Sequence, residues 1–167
     1  MSKPSLIGFI SLWLLMAMTP VRAVMTIDIT QGVEGALPIA VVPFGWKGQA
    51  ATSAPEPVGR IIAADLYRSG LFAPIGEGNL VSRPTRGEDV NFQDWRVLGV
   101  DNLIVGQVLE NGPGNFEVRF QLFDVLKGQQ LAGYSFPAKA GELRAVAHHI
   151  ADLVYEKLTG VRGAFST

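Results

Sequence analysis

Apolar residues in this chain change their period part-way along, and that change limits the folds open to it. Leu37 to Phe44 and Leu103 to Leu109 are nearly continuous apolar runs, as expected for strands buried on both faces. Beyond the dense turn signal Glu110-Asn111-Gly112-Pro113-Gly114-Asn115, the pattern alternates instead. From Phe116 to Asp124, Val118, Phe120 and Leu122 share one side, and Glu117, Arg119 and Gln121 the other. Lys127-Gly128 then turns the chain into a further strand from Gln130 to Phe136.

Helical spacing fills the gaps between these strands. Glu56 to Ser69 carries Val58, Ile61, Ile62 and Leu66 at that spacing, with Gly70 just past its end. Gly45 to Pro55 before it reads as loop, Leu71 to Ile75 after it as a short strand, and Gly76 to Asn79 as loop. Asn91 is placed to cap a short helix bearing Phe92, Trp95 and Leu98 and stopped by Gly99. A last helix runs from about Glu142 to Thr159, with Leu143, Val146, Ala147, Ile150, Leu153, Val154 and Leu158 in one stripe and Gly160 as its stop. Val161 to Thr167 carries no further element. Two strand–helix units followed by an antiparallel meander predict an α/β fold: a mixed sheet with helices packed on it.

The first 23 residues have a different character. Lys3 supplies a positive start, Leu6 to Met18 is uncharged and mostly apolar, and Val21-Arg22-Ala23 sets small residues at −3 and −1 of a cut before Val24. That order predicts a cleaved secretory signal peptide over 1–23. A spanning helix needs about 20 apolar residues, and the run is well short of that before Thr19-Pro20. Cleavage makes Val24 the new terminus and leaves one domain of ordinary size, not membrane-spanning. It removes Lys3 and Arg22 and no acid, so 14 bases fall to 12 against 15 acids, a net charge of −3. No basic stripe exists, so nucleic acid is not an expected partner. With no cysteine in an exported chain, the fold uses no disulfide.

At the new terminus, Val24, Thr26 and Asp28 alternate with Met25, Ile27 and Ile29. Thr30 and the flexible stretch Gln31-Gly32-Val33-Glu34-Gly35 follow. A short strand in that position can pair with its own sheet or with another chain's edge.

Catalytic chemistry finds little support. His148 and His149 are the only histidines, and adjacent helical residues diverge by about 100°, so the two cannot grip one ion. His148 falls on the polar side of its helix and His149 at the edge of the stripe, which reads as a solvated residue beside a packing one. Asp65 lies within its helix's apolar stripe and needs a partner, with Arg68 in reach. No phosphate cradle, nucleophile elbow or cysteine nucleophile is present, and no cofactor, metal or catalytic residue is expected. The competing reading is a small periplasmic hydrolase or transferase using Asp65 with a histidine. Distance decides it: a structure placing Asp65 far from both histidines and from any cleft ends that reading.

Four stretches together resemble the N-terminal domain of the TolB family, soluble periplasmic members of the Tol–Pal envelope system. They are Asp65-Leu66-Tyr67-Arg68-Ser69-Gly70-Leu71-Phe72, Trp95-Arg96-Val97-Leu98-Gly99-Val100-Asp101, Phe120-Gln121-Leu122-Phe123-Asp124-Val125, and the block from Ala147 to Thr167. The resemblance implies a mixed, about five-stranded sheet flanked by helices, similar in fold to anticodon-binding domains. It divides the chain into the signal peptide, a mobile N-terminal strand and linker over 24–36, the α/β domain over 37–160, and a tail over 161–167. In the family a β-propeller begins at that tail; it docks Pal and receives colicin peptides, so Pal is a partner only where a propeller is present. It implies a non-enzymatic periplasmic adaptor supporting outer-membrane integrity and invagination during cell division. The implied partner is the C-terminal domain of TolA, bound through Val24, Met25, Thr26, Ile27, Asp28, Ile29 and Thr30 by addition of a strand to a sheet edge.

Overall fold

A computed structural model describes residues 35–48 and 54–166, which lie in one compact unit. Six strands form one sheet: β1 (Leu37–Val41), β2 (Gly45–Lys47), β3 (Phe72–Pro74), β4 (Asn102–Glu110), β5 (Asn115–Asp124) and β6 (Gln129–Lys139). Three α-helices accompany them: α1 (Val58–Arg68), α2 (Phe92–Val97) and α3 (Leu143–Thr159). The order across the sheet is β3-β1-β4-β5-β6, parallel from β3 to β4 and antiparallel from β4 to β6. The sheet is therefore mixed, as the sequence predicts.

β2 corrects one expectation, since Gly45 to Pro55 reads as loop from sequence. Pro43 has no N–H and breaks the first run's ladder. The chain rejoins at Gly45–Lys47, parallel to the second half of β4, with Trp46 opposite Val108. The path thus stays five strands wide. α1 likewise starts at Val58 rather than Glu56, because the residue before Pro57 is pushed out of the helical region. Glu56 instead meets Arg144 of α3 at 3.1 Å.

The two faces of the sheet are covered unequally. Val58, Ile62 and Leu66 of α1 and Leu143, Ala147, Ile150 and Val154 of α3 pack over Ile39, Ile104, Val118, Phe120 and Leu122 on one face. On the other, Trp95 of α2 joins Ala40, Val42, Leu103, Val105 and Phe123. β4 is sandwiched between both cores, which is why its run is continuous. Among the described residues α2 reaches the second face of β5 only at Phe123, and the rest of that face has no α-helix over it, which is why β5 alternates. Gly106 is required at the crossing: a Cβ there would come within 2.4 Å of the Phe44 ring and 2.6 Å of the Arg119 carbonyl.

Helix ends follow the local chemistry. Asn91 caps α2 by accepting the Gln93 N–H at 3.2 Å. α3 ends on Gly160 at φ 75°, whose N–H returns to the Glu156 carbonyl at 2.8 Å. Its buried stripe is Leu143, Ala147, Ile150, Ala151 and Val154, while Val146, Leu153 and Leu158 are half-buried.

Candidate functional site

The expected partner-binding residues Val24 to Thr30 and the expected signal peptide lie outside the described residues. The described domain offers two polar arrangements of its own: one between the helices and one on the uncovered sheet face.

Asp65 on α1 is fully buried. One carboxylate oxygen accepts from Arg68 Nη2, three residues on, and the other lies 2.6 Å from His148 Nδ1 on α3. This reverses the expected roles of the histidines. His148 is the inward one, with a quarter of its side chain exposed. His149 is exposed and meets the Phe136 ring edge-on, centroids 5.3 Å apart. The wheel misassigned them because α3 packs against α1 as well as the sheet, so its buried arc is wider than the apolar stripe.

Asp65 thus lies beside a histidine, as the hydrolase reading asks, but away from the depressions described below. Both Asp65 oxygens are engaged, the carboxylate has no exposed surface, and none of the depressions described below is lined by Asp65 or His148. Among the described residues no group of His, Cys, Asp and Glu could hold a metal ion. What this arrangement does is pin α1 to α3.

The open face is polar and tightly knitted. Gln107 Nε2 donates to Thr85 Oγ1 at 3.0 Å, and Gln121 Oε1 accepts the Gly87 N–H at 2.8 Å. Gln121 Nε2 also donates to Gln130 Oε1 at 2.8 Å. These groups floor a depression of about 470 Å³ beneath residues 85–88. Beside it, Glu117 accepts from Arg119 at 2.7 and 3.0 Å, from Ser135 and from Asn111. The Arg119 guanidinium, with the Ser135 hydroxyl and Asn111 amide, holds the Glu117 carboxyl down at about 2. A carboxyl depressed in the folded state stabilises above its unfolded pKa, and that stabilisation is lost as pH falls from about 4.5 toward 2. An NMR titration should show Glu117 ionising near 2 in the wild type and nearer 4.5 in Arg119→Ala.

Asp152 was not singled out by sequence, since one acid in an amphipathic helix looks like part of its polar face. It is 9% exposed and holds the C-terminal tail. Burial pushes its carboxyl up, but the Ser166 hydroxyl and the Phe165 and Ser166 N–H groups outweigh that and bring it below the usual range. Nothing earlier in the chain signals that contact.

Two helices over one face of a mixed sheet and a short third on the other, with a buried aspartate clamped between Arg68 and His148, define an α/β domain with its sheet flanked by helices. The family described as "TolB amino-terminal domain" matches residues 25–131, and the chain belongs to that family. It is 52% identical to the Tol-Pal system protein TolB of Thioalkalivibrio sulfidiphilus, over 94% of this chain and 36% of that protein. It is 50% identical to that of Nitrosococcus oceani, over 97% of this chain and 37% of that one. The crystal structure of TolB from Acinetobacter baumannii is similar at a TM-score of 0.64 and 31% identity, covering 78% of this chain and 30% of that one. The chain therefore spans a little over a third of the length of these curated relatives. Among the described residues no helix is long and apolar enough to cross a membrane.

Proposed function

We propose that this chain acts in the periplasm as a non-enzymatic adaptor of the Tol–Pal system, bound to the C-terminal domain of TolA through Val24 to Thr30. The observation that carries the reading is the extended identity with proteins named Tol-Pal system protein TolB. Residues 1–23 export the chain, 24–36 form the binding strand and its linker, 37–160 the domain, and 161–167 a tail where a propeller would begin. The adaptor supports outer-membrane integrity and invagination during cell division, and Pal is a partner only if a propeller is present.

The alternation of Met25, Ile27 and Ile29 suits this task. One row of apolar side chains enters a partner's groove while the backbone extends its sheet. Deleting Val24 to Ile29 should abolish calorimetrically detected binding to the TolA C-terminal domain and leave the melting temperature nearly unchanged. Ile27→Pro should reproduce the loss, because proline removes one ladder donor. Unchanged affinity in both variants would move the interface elsewhere. Mass spectrometry of the periplasmic protein should find a chain starting at Val24; an intact Met1 would refute export by cleavage.

A further inference from the structure

We propose that the outer edge of β6 joins a second copy of this chain, making one continuous sheet across a two-fold axis at Tyr134. Among the described residues β6 has β5 as its only strand neighbour, although it runs from Gln129 to Lys139. The opposite edge, β3, is only Phe72–Pro74 and includes a proline.

Which backbone groups of β6 point outward follows from the ends of the strand. The Ala140 N–H turns inward to the Gly114 carbonyl at 3.3 Å, whereas the Lys139 N–H turns away from β5 to Glu142 at 2.8 Å. Alternation then directs Pro137, Ser135 and Gly133 outward. Pro137 loses no bond to β5 by lacking an N–H, as an edge proline requires. Among the described residues no strand lies opposite the outward N–H and C=O of Gly133 and Ser135, and both residues are exposed.

Antiparallel pairing about Tyr134 sets Gly133 opposite Ser135 of the second copy, and the reverse. The four outward groups of Gly133 and Ser135 on each chain are then bonded, and the pairing is confined to Ala132 to Phe136, between Pro137 on one side and the bulge at Leu131 on the other. Tyr134, 53% exposed, stands beside its own twin as a non-hydrogen-bonded pair, where side chains approach most closely. Phe136 stands beside Ala132 of the second copy, large against small. Next to Ala132 lies a depression of about 390 Å³ bounded by Tyr134, Leu153 and Lys157, which gives that ring room. The paired residues Ala132 to Phe136 carry no charged side chain, so no like charges meet. This self-complementarity favours a second copy over an unrelated strand.

Because the chain has no cysteine, the test is clean. Tyr134→Cys puts two thiols directly opposite each other, within reach of a disulfide. Ser135→Cys leaves its twin diagonally displaced by about 8 Å, too far to bridge. Under mild oxidation Tyr134→Cys should become mostly covalent dimer, while Ser135→Cys and the exposed control Val97→Cys stay monomeric. In sedimentation, wild-type mass should double as concentration rises from micromolar toward millimolar. Ser135→Pro, which spares the β5 ladder as Pro137 does, should remain monomeric with an unchanged circular dichroism spectrum. A wild type monomeric throughout, a Tyr134→Cys variant no faster to cross-link than Val97→Cys, or a dimeric Ser135→Pro would each overturn the pairing. The binding role of Val24 to Thr30 does not enter these outcomes.

Discussion

Replacing Ile150 by aspartate is expected to leave the chain unfolded at room temperature, with the far-ultraviolet signature of its helices lost. Ile150 has no exposed surface and sits midway along α3, between Ala147 and Val154 in the helix-side core. Two costs combine at this position. Removing the isoleucine forfeits about 1.5–3 kcal/mol of apolar burial. Placing a carboxylate there without a partner costs several kcal/mol more, whether it stays charged or takes up a proton. Together these approach the 5–15 kcal/mol that holds a typical domain folded. Ala145→Asp, at an exposed position on the same helix, should change stability by only about 0.5 kcal/mol, chiefly through helix propensity. A cooperative melt of Ile150→Asp within a few degrees of wild type would mean that this part of α3 faces solvent.

Much of the frame behind that expectation was legible in the sequence, and for a physical reason. Periodicity reports which faces of an element are covered, so the continuous run of β4 and the alternation of β5 already encoded a sheet buried on two faces at its centre and one at its margin. Gly70, Gly99 and Gly160 adopt positive φ where each helix was expected to stop. β2 was illegible because Pro43 interrupts a ladder that resumes a few residues later, and a gap of that kind has no period. The inward turn of His148 was illegible for a different reason. It depends on the angle at which α1 and α3 pack, and so on a partner distant in sequence. The tail contact of Asp152 belongs to the same class. Asp65 lay between these cases: its place in an apolar stripe showed that it needed a partner, and Arg68 was read correctly from spacing, but the second partner came from another helix.

That second partner is expected to matter more than its modest exposure suggests. His148→Ala would remove the donor from one oxygen of a fully buried carboxylate, leaving Arg68 to satisfy the other. An orphaned buried acceptor costs about 1–3 kcal/mol, and more when it carries charge, so a loss of about 2–3 kcal/mol is expected in urea denaturation. Adding Arg68→Ala should deepen the loss, because the charge is then uncompensated. Asp65→Leu should act in the opposite sense once the histidine is gone. It removes the stranded carboxylate and returns apolar volume to a site among Ile61, Ile62 and Leu66, so His148→Ala with Asp65→Leu should be more stable than His148→Ala alone. Arg68, two-thirds exposed, can hydrate without its partner. The reversal of sign is the signature of a clamp whose main cost lies in the buried charge itself, since coupled residues depart from additivity while independent ones do not. Additive losses across the three substitutions would show that Asp65 and His148 stabilise the helices separately, and that their 2.6 Å approach carries no coupling.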